Sequence, residues 1–493
     1  MSLSRRTLFR LGGVATAGTA LAGCDTLIET VFPGLQAPAS LTGPFRVPQS
    51  DRVGRLRHVM ERLSFGLRPE DWHRALDTGG GDEDTAIERF IDQQLHPERI
   101  DDRRADHTVR RLETIRLPQR ELFEYQPRLL LAELTRHALL RAIHSQRQLH
   151  EVMVGFWTDH FNIDISKGDC EHLLPAHDRD VIRRHALGRF PELLRAVALS
   201  PAMLWYLDGR VNRRRHYGDQ PNENYARELL ELHTLGVDGG YSQRDVMETA
   251  RALTGWHVRS EERFAKGKIE FDIEAHDRGP KEVLGHRLAP GRGEQDTHDV
   301  LRIAAHHPAT ARHLASKLCR RFIDDDPDPT AIAVTARAFE ESRGDIRRTL
   351  ATLFSTDAFL RARGTQLKRP FHFVVSALRA IAADTDAGEA MQRYLLSMGQ
   401  APFQYPTPDG YPLEPAPWRG TLLWRWNLAS ALVDGRIDGT RVDRRRLEDD
   451  LVGPSGVAAH LLGRRPSEAE QVAAHHAADP LALLLASPAF QRF

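Results

Sequence analysis

Asn224, Arg227, Glu228 and Glu231 recur at helical intervals inside the run Pro221 to Gly236. At 100° per residue their side chains fall within roughly a 100° arc, while Tyr225, Leu229, Leu232 and His233 take the opposite side. Two carboxylates, a guanidinium and an amide on one face can hold a metal, clamp a polar ligand, or simply face water. In the last case Arg227 and Glu231 form an i,i+4 pair worth about 0.2–0.5 kcal/mol. If the face does chemistry, Arg227, Glu228 and Glu231 are the candidate catalytic groups and Asn224 a further polar contact. Arg227 suits an anionic substrate, because a guanidinium can bind it bidentately.

Residues distant in sequence can complete such a site. Leu149, Val152, Met153 and Phe156 form an apolar helical stripe with His160 inside its arc, which predicts a buried imidazole. A buried imidazole must hydrogen-bond or coordinate something, and burial favours the neutral form that metals require. The structural alternative is a core histidine bonded to a carbonyl or carboxylate. His276 and Asp277 occupy a turn that can aim both inward, or simply cap the surface. Glu228, Glu231, His160, His276 and Asp277 are therefore the candidate metal ligands, an oxygen-rich set suited to calcium, manganese, iron or zinc. Lys281 can add a point charge. No Cys-pair or His-Glu-x-x-His pattern fixes the metal, and no nucleophile elbow, phosphate loop or dinucleotide fingerprint is present.

The elements that must position these groups are mainly helical. Gly236 stops the first helix, Ser242 to Asp245 forms a capping box for the next, and the two make a helical hairpin over 223–254. Leu129 to Phe161 predicts one long helix or two joined ones. Helical pattern returns over 299–322, 331–361 and 370–382. Alternation at Ile269, Phe271 and Ile273 predicts a strand, with 283–288 as its partner in a small β-hairpin near 268–288. Residues 399–418, rich in proline and aromatics (Phe403, Tyr405, Tyr411, Trp418), suit a packed loop over the core or the wall of a glycan or peptide groove.

The amino terminus speaks to location. Ser4-Arg5-Arg6-Thr7-Leu8-Phe9-Arg10 followed by the apolar Leu11 to Ala22 resembles a twin-arginine export signal. Leu21-Ala22-Gly23-Cys24 resembles a lipobox, with Cys24 as the lipidated first residue of the mature chain. The expected organisation is a signal peptide over 1–23, a lipidated tether over 24–50 with Pro33, Pro38, Pro44 and Pro48, and one large domain over 51–493. The expected location is the periplasmic face of the envelope, held to the membrane through Cys24. The signal's three arginines leave with it, so a chain of 68 basic and 68 acidic residues falls to a formal charge of −3. Nucleic acid is thereby disfavoured as a partner. Beyond Cys24 only Cys170 and Cys319 remain, too few for a disulfide scaffold, with their pairing left open.

Phe156-Trp-Thr-Asp-His160-Phe-Asn162, Ser200 to Asp208, Pro221 to Gly236, Tyr241 to Trp256, His276-Asp277 through Lys281, His307-Pro308 with Lys317-Leu-Cys-Arg-Arg-Phe322, and the closing Ser-Pro-Ala-Phe490 resemble the bacterial "domain of unknown function 1800" family. The resemblance covers about His58 to Phe493. Asp159 stands where asparagine is more usual in that family, and Tyr411 where tryptophan is. The resemblance implies frequent twin-arginine export and an exported partner similar to alkaline phosphatases and sulfatases. Two functions follow as expectations. One is a lipid-anchored envelope enzyme dependent on a divalent metal; the other is a non-enzymatic scaffold or binding lipoprotein, its polar residues fixing the hairpin internally.

Overall fold

The computed structural model describes residues 45–48, 50–214, 219–260 and 265–493. The signal segment, Cys24 and most of the expected tether lie outside the described residues. The chain is mainly helical, and among the described residues strands occur only as three two-stranded antiparallel sheets. One apolar core runs from Phe45 to Phe490. No described helix is long and apolar enough to cross a membrane.

The 129–161 periodicity resolves into α1 (Pro127–His144) and α2 (Gln148–His160). Asp102 makes the break: it accepts from Ser145 Oγ at 2.8 Å and from Gln146 N at 2.7 Å, giving the joint's polar groups partners outside a helix. The hairpin forms from α3 (Asn224–Glu231) and α4 (Gln243–Ala252). Ser242 and Asp245 form the reciprocal capping box. Gly236 takes φ +86°, and a Cβ there would lie 2.8 Å from His313 Nδ1, so packing as well as helix termination demands glycine.

The strand pairing departs from expectation. β1 (Trp256–Val258) pairs with β2 (Ile269–Phe271), while β3 (Lys281–Val283) and β4 (His286–Leu288) close their own hairpin. Thus 269–271 is a strand, but 283–288 is not its partner. Such short strands take their pairing from the groups around them, here Glu248 and Asp245, whose carboxylates accept from Glu282 N and Leu284 N. Beyond them, α5 (Pro308–Phe322) starts at its own proline, and α6 (Pro370–Ala380) follows. The helices α7 (Leu422–Val433), α8 (Pro454–Leu462) and α9 (Pro480–Ala486) complete the fold. The loop 399–415 is a packed cover rather than an open aromatic groove. Asn162 Nδ2 donates to the carbonyls of Tyr405 and Thr407, Tyr206 Oη to that of Pro406, and Tyr411 Oη to that of Ala401.

Candidate functional site

The proposed ligands separate into two neighbourhoods. His276 and Asp277 belong to a buried ion network that ties the β3–β4 hairpin to α4. Both ring nitrogens of His276 face oxygens, Nδ1 against Thr254 O at 2.9 Å and Nε2 against Asp296 Oδ2 at 3.3 Å. Neither offers a lone pair to a metal. Asp277 is gripped by Arg251 (2.8 and 3.0 Å), by Arg214, and by Gly279 N at 2.8 Å. Burial pushes its carboxyl up, but the hydrogen bonds from Arg251 and Arg214 and their charges hold it well below the usual carboxylate range. Lys281 Nζ donates to Asp277 O at 2.5 Å, Gly279 O at 3.0 Å and Asp296 Oδ2 at 2.8 Å. Lys281 is thus a buried strut, not a charge offered to a ligand.

His160, at the end of α2, is buried as its stripe requires. Its Nε2 lies 3.2 Å from the carbonyl oxygen of His233 and so carries the proton; its Nδ1 then accepts from Lys317 Nζ at 3.0 Å. Burial, then the Lys317 charge, holds the imidazole well below its ordinary pKa. Its lone pair is committed to an amine. His233 and His313 stand with ring centroids 6.3 and 6.1 Å from that of His160. Burial, with Lys317 behind it, lowers His233 to about 3 and His313 to about 4. Among the described residues no group of three or more His, Cys, Asp or Glu is arranged to hold a metal ion. The expected five-residue set is not assembled, because His160 and His276 have each been given other partners.

On α3 the polar face is divided. Arg227 bonds Glu223 at 3.1 Å and Gln243 at 3.0 Å, not Glu231. Glu231 accepts from Tyr241 Oη at 3.2 Å, and Asn224 Nδ2 donates to Leu207 O at 3.1 Å. These three pin the hairpin and its neighbour. Glu228 alone of the four has no hydrogen-bond or ion-pair partner among the described residues. Burial, then the Glu231 charge and that of Asp409, raises its carboxyl.

Asp409 connects this face to α5. Its carboxylate also acts on the half-buried Lys317, whose amine burial lowers to about 8 against the opposing pull of Asp159 and Asp409. Gly410, at φ +74°, holds the loop in place: a Cβ there would lie 2.0 Å from Asp159 O. Behind the loop lies a cleft lined by Asp159, Asn162, Arg320, Arg321, Arg369 and Tyr411 among others, with room of about 110 Å³. Arg369 pairs with Asp159 at 2.8 Å.

Lys317, Asp409, Arg321 and Arg369 were not singled out from sequence. A usable signal existed for Lys317, since lysine occurs only six times in the chain and this one opens a family-like run. A family model described as "Protein of unknown function (DUF1800)" matches residues 58–492. No curated protein and no solved structure is similar to the chain.

Proposed function

The chain belongs to the DUF1800 family, and from that premise we propose an exported, lipid-anchored envelope enzyme of acid–base type, with Lys317 and Glu228 as its reacting groups. The observation that carries this reading is the pair of opposed shifts around Asp409. Lys317 is lowered to about 8 and Glu228 is raised, so both move toward neutral pH, where a group can gain and lose protons readily. His160 Nδ1 takes one N–H of Lys317 and so orients the amine. Near neutral pH part of the Lys317 population is free amine, able to act as base or nucleophile, and Glu228, linked to it through the charge of Asp409, is the acid.

Anchoring through Cys24 is supported by the twin-arginine and lipobox-like residues and by where the domain begins. Phe45 is buried against His73 and His460, near Gly456 on α8. Helix α8 packs on α9, which packs on α7, and α7 exposes Leu422, Leu423, Trp424 and Trp426. Tryptophans and leucines exposed on α7 suit a lipid interface.

A second reading, a scaffold for an exported phosphatase- or sulfatase-like partner, is favoured by the bonds of Arg227 to Glu223 and Gln243 and of Tyr241 to Glu231, which use the α3 face for internal bracing. Competitive acylation of the exported protein across pH 6–10, read lysine by lysine by mass spectrometry, separates the two. The enzyme reading expects Lys317 to become reactive with a midpoint near 8, against an ordinary value of about 10.4. A midpoint at the ordinary value would leave the scaffold.

A further inference from the structure

The buried or nearly buried arginines other than Arg321 have polar partners among the described residues, Arg62 in Gln366, Ala362 O and Thr365. Arg183 is held by Glu151 and Asp178 at 2.7 and 2.8 Å, Arg379 by Asp71 at 3.0 Å, and Arg57 by Glu61 at 2.7 Å. Even Arg425, with no acid in contact, gives hydrogen bonds to Thr421 Oγ1 and Lys368 O. Arg321 differs. It lies near the end of α5, is 8% exposed, and lines the cleft behind the 399–415 loop. It has no hydrogen-bond or ion-pair partner among the described residues, and its Nη1 is also shut off from solvent. The rings of Phe322 and Phe493, with centroids 5.1 and 5.6 Å away, are its compensation.

Neither nearby acid pairs with it: Asp159 pairs with Arg369, and Asp325, on the cleft wall, feels the charges of Arg62 and Arg492. Burial, then the charges of Arg369 and Arg62, lowers the Arg321 guanidinium to about 9, as expected of a cation crowded by cations. An uncompensated buried charge costs several kcal/mol, and a guanidinium fork matches an oxyanion in shape.

We propose that this cleft is an anion-binding site in which Arg321 receives the carboxylate or phosphate of a small organic ligand, with Arg369 alongside. The cleft sets the ligand's size and character. Its room of about 110 Å³ is less than the ~150 Å³ of an engineered cavity that admits benzene. A phosphate or a short carboxylic acid fits that space; a dinucleotide does not. Phe371, Phe403, Tyr411 and Leu413 give an apolar wall for the carbon portion, and Gln366 and Gln400 border the cleft with amides. The inference is independent of the acid–base reading, because neither Lys317 nor Glu228 lines the cleft.

The test is calorimetric titration of the full mature chain with inorganic phosphate and, separately, with succinate, at fixed ionic strength, with succinamide as the uncharged control. Saturable binding of at least one anion and none of the control is expected. Phosphate binding alone assigns a phosphate ester, and succinate binding alone a carboxylate. Arg321→Met should weaken binding at least tenfold, and Arg312→Gln, exposed on the same helix and outside the cleft, less than twofold. If Arg321→Met does not fold, protection of Arg321 from phenylglyoxal by the anion in the native chain, read by peptide mass, replaces it. No saturable binding of either anion, binding that survives Arg321→Met, or unprotected Arg321 in the saturated protein overturns the proposal.

Discussion

Two polar clusters sit a short stretch of chain apart and are built on opposite principles. Around Asp277 and Asp296, nearly every charged group is answered: His276, Lys281, Arg251, Arg214 and Glu248 bond one another or the backbone of the β3–β4 hairpin. Around Lys317, Glu228 and Arg321 the answers are incomplete. Glu228 and Arg321 have no partner among the described residues, His233 has two buried ring nitrogens without partners, and Lys317 leans on a neutral imidazole. A closed network fixes geometry and leaves nothing over for a ligand. An open one is held by the fold around it and keeps capacity to bind.

Breaking the closed network should have the largest effect. Asp277→Ala takes the buried acid from the partly buried Arg214 and Arg251, leaving Arg251 with Glu248, and urea unfolding should show a loss of about 3 kcal/mol, the lower end for a broken buried pair. Next is the loop that walls the open side. Gly410→Ala forces a side chain at φ +74° against Asp159 O, with an expected loss of about 2–3 kcal/mol and faster amide exchange across 399–415.

The pH dependence sharpens the contrast further. His233 is lowered to about 3 in the folded chain against an ordinary 6.5, so between those values the unfolded chain holds a proton the native one lacks. Stability must therefore fall as pH falls from 6.5. His233 contributes on the order of 2 kcal/mol of that fall by pH 5. Asp277, lowered instead, keeps its contribution until pH drops below the ordinary carboxylate range. His233→Phe should flatten the thermal-shift profile between pH 6.5 and 5. The smallest effect tests the link between α3 and α5. Asp409 raises both Lys317 and Glu228, so Asp409→Asn should lower both pKa values in the acylation profile and in carboxyl titration by NMR.

Much of the frame was legible in sequence because local chemistry determines it. Ser242 and Asp245 announce a capping box, Gly236 a helix end, and the stripe before His160 its burial. The site was less legible. His276-Asp277 reads the same whether its partners are a metal or arginines, and only the fold brings Arg251 and Arg214 to it. Glu228 and Glu231 look equivalent until Tyr241 is placed on one of them. Arg321 is one of 62 arginines, and nothing local reveals that it turns inward while Arg320 stays at the surface. The strand at 269–271 was visible, but not its partner at 256–258, since three-residue strands carry too little pattern to specify a register.

Under the anion-site proposal the open cluster's charge is kept for a ligand and not for the fold. Urea unfolding of Arg321→Met in anion-free buffer tests it most directly. Replacing an unanswered buried guanidinium by an apolar chain of similar length should leave stability unchanged or raise it by about 1–3 kcal/mol. A loss comparable to that of Asp277→Ala would mean that Arg321 is answered within the fold, and the distinction between the two clusters would not stand.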